Sequence, residues 1–213
     1  MVKMLIYASG DSHTAGAEAV NPHAFAEDHY LYKHLGRAPH PDNLKVSYGQ
    51  LLADMCSADL ICDAESAGSI PMILRKIKLY LADEKPRPDL VVIGWPTFER
   101  EEWLHEGIYY QITASGSDQV PYSLRNRYKE WVIEQSDPAI INSKLVKRHD
   151  DIYDMHGLLR HRGINHIFFN TYSHFAHIKN LHHLQAFEYD WQSCYLDPYN
   201  ADMTYYNWLI QNG

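Results

Sequence analysis

The feature that most constrains the fold of this chain is a set of short apolar runs that end in small or polar residues. The first run covers residues 2–8 and leads directly into the segment SGDSHT. Because it does not alternate apolar with polar residues, it is typical of a strand that is buried on both faces of a parallel sheet. Further short strands are predicted over residues 59–63, 90–94 and 164–170, with a last one near residues 191–196.

Helical patterns separate the predicted strands. The clearest one places apolar residues at steps of three and four, and it ends before Pro86 and Pro88. These apolar residues are Ile70, Ile73, Leu74, Ile77 and Leu81. The other predicted helices cover residues 48–55, 124–135, 138–162 and 202–210.

Two segments lack a regular pattern. Residues 21–43 contain several prolines and histidines and predict at most a helical turn or two around residues 30–35. Residues 95–120 mix charged, aromatic and Gly-Ser pieces, which suits a loop over one end of a sheet.

Strands that alternate with helices favour right-handed crossovers and helices on both faces. We therefore predict a single α/β domain over residues 1–213, a three-layer α/β/α sandwich around a mostly parallel five-stranded sheet.

Charge and composition argue against several classes of protein. The chain has 19 Lys and Arg against 27 Asp and Glu, a formal charge of −8 that opposes binding to a phosphate backbone. We therefore expect no nucleic-acid partner. The apolar run at the N-terminus is shorter than the core of a signal peptide, and no later stretch has the length of a membrane span. With its three cysteines, an odd number, the chain is expected to be a cytoplasmic protein with reduced thiols.

The turns after the predicted strands indicate where a ligand binds. In a parallel α/β sheet, ligands bind outside the carboxyl ends of the strands. Residues 9–14, 66–69, 94–97 and 170–173 all follow such ends, so we expect them to meet at one edge of the sheet. Ser12 lies at a strand-to-helix turn, where a hydroxyl is exposed and backbone N–H groups can stabilise an oxyanion. This position suits a catalytic nucleophile.

The segment Gly10-Asp11-Ser12 after the first strand resembles the opening block of the SGNH, or GDSL-like, hydrolases, and in particular phage-encoded members. The resemblance implies a flavodoxin-like three-layer fold and metal-independent hydrolysis of acyl, acetyl or lipid-like esters. It implies that Ser12 is the nucleophile and that its N–H contributes to the oxyanion hole. Asp11 is expected to order the turn by accepting backbone N–H bonds. If the chain is phage-encoded, its cytoplasm is that of the host cell.

Two later segments resemble the family's oxyanion blocks. Gly68, in SAGSI ahead of the clearest helix, lies where the family has a glycine that donates its N–H. The third block normally reads Gly-x-Asn-Asp, whereas residues 94–97 read GWPT. Loss of one oxyanion donor costs about 10²–10³ in turnover. We hypothesise that Thr97 partly replaces the missing asparagine.

The family's final block, Asp-x-x-His, is absent from the C-terminal third, where DPYN at residues 197–200 has Asn in place of His. We expect the chain either to be shortened relative to such members or to have lost its catalytic base. His174 and His177 are weak candidates for a substitute, and His182 or His183 is conceivable. Without a base, a serine hydrolase retains about 10³–10⁴-fold rate enhancement over water.

Three other functions stay open from the sequence. Asp11 and His13 resemble the Asp-x-His opening of metal-dependent phosphoesterases, but the later ligand blocks are absent, and His161 with His166 lacks metal-site spacing. A Gly-Asp-Ser-His-Thr turn can also hold a phosphate, although without a specific motif. The third alternative is a binding or assembly protein on a hydrolase fold. The preferred prediction is a serine esterase without cofactor or metal that acts on a small-molecule, glycan or lipid ester.

Overall fold

The structure is a computed structural model, and it describes residues 3–23, 27–28, 39–116, 120–178 and 189–212. The helical turn expected around residues 30–35 lies outside these ranges, as do His182 and His183. The described strands are β1 (Leu5–Ser9), β2 (Asp59–Cys62), β3 (Leu90–Trp95), β4 (Glu101–His105), β5 (Ile108–Ile112) and β6 (Asn165–Asn170). The described helices are α1 (Ser12–Ala15), α2 (Pro41–Lys45), α3 (Tyr48–Met55), α4 (Ile70–Ala82), α5 (Arg125–Glu134), α6 (Pro138–His161) and α7 (Tyr205–Asn212), with short 3₁₀ helices at Tyr122–Leu124 and Ala201–Met203.

Four parallel strands form the main sheet, in the order β2-β1-β3-β6. Strand β1 therefore lies inside the sheet, as its unbroken apolar run predicts. Numbered along the chain, the sheet strands run 2-1-3-4, which is the beginning of the flavodoxin-like order. The α/β class and the parallel sheet are confirmed.

The predicted fifth strand is reduced to a single parallel bridge. Tyr195 pairs with Phe168 at the open edge of β6, and the Phe168 carbonyl accepts a 2.9 Å hydrogen bond from the Leu196 N–H. Gln192 and Ser193 have φ angles of 48° and 62°, which are incompatible with an extended strand. The segment occupies the fifth position in the sheet without forming a regular strand there.

Helices pack on both faces of the sheet, because side chains alternate along each strand. Tyr7, Val91 and Phe168 join the apolar sides of α4 and α6 in the largest core cluster. Ile6 and Val92 point to the opposite face, where they pack with the small side chains at the end of α3. The helix predicted from the Ile70 to Leu81 pattern is confirmed.

Residues 101–112 form an antiparallel hairpin, β4-β5, where the sequence suggests a loop. Its inner side chains, Trp103 and Ile112, build a second small core with Tyr128 and Trp131 of α5. Each strand has five residues, and the buried side chains of Trp103 and Ile112 hold the hairpin against α5. The aromatic residues of this segment are thus partly structural.

Ion pairs attach the hairpin to two helices that pack on the main sheet. Glu102 accepts two hydrogen bonds of 2.7 Å from the Arg75 guanidinium of α4, and Gln111 donates to the same carboxylate at 2.9 Å. On the other side, Arg148 of α6 donates to Glu101 at 2.6 Å. Both faces of the hairpin are therefore anchored to helices of the larger core.

Among the described residues, no helix combines the length and the apolarity that crossing a bilayer would require. The three cysteines are free thiols, and Cys56 is exposed whereas Cys62 and Cys194 are half-buried.

Candidate active site

Ser12 is the first residue of α1, just beyond the carboxyl end of β1. The turn before it needs glycine, because a Cβ at Gly10 would lie 1.9 Å from Thr14 Oγ1 and 2.9 Å from the Gly94 carbonyl oxygen. The side chain of Asp11 caps the helix by accepting a 3.1 Å hydrogen bond from the His13 N–H. Ser12 itself is half-buried, and its hydroxyl has no hydrogen-bond partner within the described part of the chain.

Asp11 is the charged centre of this region. It is 1% exposed, and its Oδ2 lies 3.0 Å from Nη1 of Arg100. Its Oδ1 lies 3.1 Å from Nδ1 of His13. The Thr171 hydroxyl, which donates to the Trp95 carbonyl at 3.0 Å, lies 3.5 Å from Oδ2. Asp11 therefore contacts two distant segments, through Arg100 and Thr171, in addition to its own turn.

The surroundings of Asp11 favour its ionised form. Burial alone would raise the pKa of its carboxyl, but the hydrogen bond and charge of His13 and the charge of Arg100 outweigh burial and lower that pKa. Asp11 is therefore a carboxylate at neutral pH, with the Arg100 guanidinium on Oδ2 and hydrogen bonds from His13 on Oδ1. Because the Arg100 guanidinium already contacts Oδ2, a metal ion would have to compete with a fixed cation for Asp11.

The loop that carries Gly68 packs directly on the Ser12 turn. The Gly10 carbonyl accepts a 3.2 Å hydrogen bond from the Glu65 N–H, and a Cβ at Gly68 would lie 3.0 Å from the same carbonyl oxygen. Arg100 donates to the Gly68 carbonyl at 3.2 Å, so one guanidinium joins this loop to Asp11. The Gly68 N–H donates to the Glu65 carbonyl at 2.8 Å within its own turn. To bind an oxyanion, this N–H would have to give up that bond.

The loop after β3 carries Thr97, the predicted substitute for the family's asparagine. Thr97 is half-buried, and no hydrogen bond of its side chain occurs among the described residues. The neighbouring Trp95 is fully buried in the main core, which fixes the start of this loop. A half-buried hydroxyl without a partner remains available to a ligand.

His174 and His177 lie in the segment after β6, with ring centroids 6.3 Å apart. Both line a cavity of about 550 Å³. The other residues of its wall are Phe98, Ile141, Asn142, Leu145, Tyr172, Ser173, Ala201 and Asn207. Nδ1 of His174 accepts a 3.3 Å hydrogen bond from the Ala176 N–H, and neither imidazole is hydrogen-bonded to Ser12. The structure places these rings beside the cavity and does not pair them with the serine.

The segment DPYN has no catalytic geometry of its own. Asp197 is exposed, with a φ angle of 29°. Asn200, which stands where the family has histidine, caps the following 3₁₀ helix by accepting a 3.0 Å hydrogen bond from the Asp202 N–H. The side chain at this position therefore has a structural function.

Arg100 and Thr171 are the site residues that sequence reasoning missed. Arg100 lies near the start of the irregular segment 95–120, and Thr171 lies in the predicted strand-end turn 170–173, where no motif distinguishes it from its neighbours. The sequence gives one indication of these residues, namely that the turns after the strands should meet at one edge of the sheet. It holds for Asp11, Gly68, Arg100 and Thr171, which follow β1, β2, β3 and β6.

No protein-family model and no curated protein matches this sequence. Among solved structures, the chain is similar to AlinE4, an SGNH-hydrolase family esterase, with 14% identity and a TM-score of 0.40 over 79% of this chain. The chain spans 59% of the length of AlinE4. A second similar structure is a carbohydrate esterase whose active site displays divergent catalytic and non-catalytic binding functions. It is 17% identical, with a TM-score of 0.33, over 80% of this chain and 49% of the other.

Proposed function

We propose that this protein is an ester hydrolase of the SGNH type that uses Ser12 as its nucleophile. The observation that carries the proposal is the position of Ser12, a half-buried serine with a free hydroxyl at the carboxyl end of an inner parallel strand. Four strand-end segments meet around the adjacent Asp11, which is the expected arrangement at the ligand-binding edge of such a sheet. We further propose that the two helix-covered faces form the family's three-layer sandwich.

In this proposal, Ser12 Oγ loses its proton and attacks the carbonyl carbon of an acyl or acetyl ester on a small molecule, glycan or lipid. The bond to the ester's alcohol oxygen breaks, the alcohol leaves with a proton, and water then releases the acid from Ser12. The negative charge that develops on the carbonyl oxygen is stabilised by the Ser12 N–H, with Gly68 and Thr97 as further donors. The Ser12 N–H suits this role because the first N–H groups of a helix have no partner within the helix. Arg100 would hold the Gly68 loop in place by binding both its carbonyl and Asp11.

The proposed mechanism also needs a group that accepts the proton of the Ser12 hydroxyl. His174 and His177 are the described candidates, and each would need to approach Ser12 to within about 3 Å. We therefore expect slow turnover, near the residual rate that an oxyanion hole and substrate binding alone support. Acylation of Ser12 is then easier to detect than repeated turnover.

The test combines a fluorophosphonate probe with p-nitrophenyl acetate. The wild-type protein should be labelled at Ser12, as located by peptide mass spectrometry, and should release p-nitrophenol above the buffer rate. Ser12→Ala should abolish both, whereas Ser115→Ala, which removes an exposed serine outside the site, should change neither. Undiminished labelling of the Ser12→Ala variant, or complete absence of labelling in the wild type, would overturn the proposal.

A non-catalytic binding protein is the second candidate. It is favoured by one observation: within the described residues, no imidazole is hydrogen-bonded to the Ser12 hydroxyl. In that case, an acetylated oligosaccharide would raise the melting temperature of wild-type protein and of Ser12→Ala alike, with no release of acetate. Acetate release that depends on Ser12 would exclude this candidate.

A further inference from the structure

Three potential metal ligands meet beside β6, towards the amino end of that strand. His156 lies on α6, His166 is the second residue of β6, and Cys194 precedes the bridge residue Tyr195. One ligand atom from each lies within 4.8 Å of the other two. Because His166 lies near the amino end of its strand, whereas Ser12 follows a carboxyl end, this cluster is separate from the candidate active site.

The two imidazoles are buried and in direct contact. His156 is 1% exposed and His166 is 5% exposed, and Nδ1 of His156 lies 2.8 Å from Nε2 of His166. Nδ1 of His166 lies 3.0 Å from the Ile164 carbonyl oxygen, which can only accept a hydrogen bond. His166 therefore carries its proton on Nδ1 and presents a lone pair on Nε2. An imidazole held by a backbone carbonyl in this way is the usual outer-shell arrangement of a metal-binding histidine.

Metal binding through Nδ1 of His156 requires the other neutral tautomer of this ring. Without a metal, His156 donates from Nδ1 to His166, and its buried Nε2 has no hydrogen-bond partner within the described part of the chain. When an ion takes Nδ1, the proton of the ring moves to this Nε2. Burial lowers the pKa of both histidines and so favours their neutral form. Neutral imidazoles beside a free thiol are the ligand types that zinc selects.

We propose that His156, His166 and Cys194 bind a Zn²⁺ ion through Nδ1, Nε2 and Sγ. Zinc bonds of about 2.0–2.1 Å to nitrogen and about 2.3 Å to sulfur require tetrahedral ligand atoms to lie about 3.3–3.6 Å apart. The imidazole pair, at 2.8 Å, must separate slightly, and the thiol already lies within 4.8 Å of a ligand nitrogen of each histidine. The thiol loses its proton on binding, and the fourth position is left for water or another ligand.

The ion would act as a structural clamp on the irregular fifth segment. Cys194 lies between Ser193, which has a φ angle of 62°, and Tyr195, whose pairing with β6 is a single bridge. A bond from Cys194 to an ion held by α6 and β6 would replace the hydrogen bonds that a regular edge strand would make. Metal binding therefore couples directly to the folded state.

The test is titration of the full, reduced and metal-free chain with Co²⁺ and then Zn²⁺. We expect one equivalent of Co²⁺ to produce a near-ultraviolet thiolate-to-cobalt charge-transfer band and visible bands of tetrahedral intensity. One equivalent of Zn²⁺ should bleach these bands and raise the melting temperature. Cys194→Ser should lose the charge-transfer band, and His156→Gln should weaken metal binding at least tenfold. The control Cys62→Ser, which removes a half-buried thiol outside the cluster, should behave as wild type.

A second measurement does not depend on the folding of the variants. Zn²⁺ should slow alkylation of Cys194 by iodoacetamide in the wild-type chain, as followed by peptide mass spectrometry. The rate at exposed Cys56 should be unchanged. A cobalt spectrum without thiolate character, or equal alkylation of Cys194 with and without Zn²⁺, would overturn the proposal.

Discussion

Arg100 and Asp11 are joined by a part-buried ion pair, in which Nη1 of Arg100 lies 3.0 Å from Oδ2 of the buried Asp11 across 89 residues of sequence. The same Arg100 nitrogen donates to the Gly68 carbonyl at 3.2 Å. One side chain from the loop after β3 therefore connects the turns after β1 and β2. The positions of the Ser12 turn and of the Gly68 loop depend on each other through this contact.

Replacing Arg100 by Met should destabilise the protein by about 1–3 kcal/mol, because it leaves the buried Asp11 carboxylate with one charged partner fewer. Thermal or urea unfolding measures the loss. Arg125→Met is the matched control, since Arg125 is exposed at the start of α5, and it should change the free energy of unfolding by less than about 0.5 kcal/mol. Equal effects of the two substitutions would refute a special role for Arg100.

The stability of the protein should depend on the ionisation of Asp11. Its pKa is lower in the folded protein than the ordinary value of about 3.9, so the ionised form contributes stability above that pH. This contribution is lost as the pH falls through the lowered pKa. Asp11→Asn should remove it, so that the difference from wild type in free energy of unfolding shrinks below about pH 4. Asp154→Asn, at an exposed position of α6, is the matched control for replacing an aspartate away from the site.

Gly10 and Gly157 should respond in opposite ways to alanine. A Cβ at position 10 would lie 1.9 Å from Thr14 Oγ1, so Gly10→Ala should destabilise by about 1–3 kcal/mol and disturb the Ser12 turn. A Cβ at Gly157 meets nothing within 4 Å in the interior of α6, so Gly157→Ala should stabilise by about 0.5–1 kcal/mol. Unfolding experiments on the two variants decide between these signs.

Glu102→Gln should loosen the hairpin from α4. The Glu102 side chain is 5% exposed and holds the Arg75 guanidinium through two bonds of 2.7 Å. Without the carboxylate, we expect a loss of about 1–3 kcal/mol and faster proteolysis at the hairpin turn. The control Glu106→Gln, at the exposed turn itself, should leave the melting temperature unchanged. Unchanged proteolysis of the Glu102 variant would mean that the apolar contacts of Trp103 suffice to hold the hairpin.

Local patterns in the sequence predict the four strands of the main sheet and the helices α3 to α7, but not α2 or the irregular fifth segment. The apolar steps from Ile70 to Leu81 predict α4, and the unbroken run before Ser9 predicts the inner strand β1, because periodicity records which faces are buried. The segment SGDSHT also predicts the turn after that strand. The structure explains its glycine, because a side chain at Gly10 would clash with Thr14. Ser12 remains a prediction, because its chemistry requires a base that no described contact supplies.

Tertiary structure alone decided which distant side chains meet. The hairpin packs on Trp131 of α5 and pairs with Arg75 of α4 and Arg148 of α6, and these partners lie far from it in the sequence. Arg100 reaches Asp11 across 89 residues, and His156 meets His166 between a helix and a strand, at a spacing that no metal motif describes. Sequence periodicity reports the burial of each residue along its own element. Which partner that residue meets depends on how the elements pack, and that is a property of the whole fold.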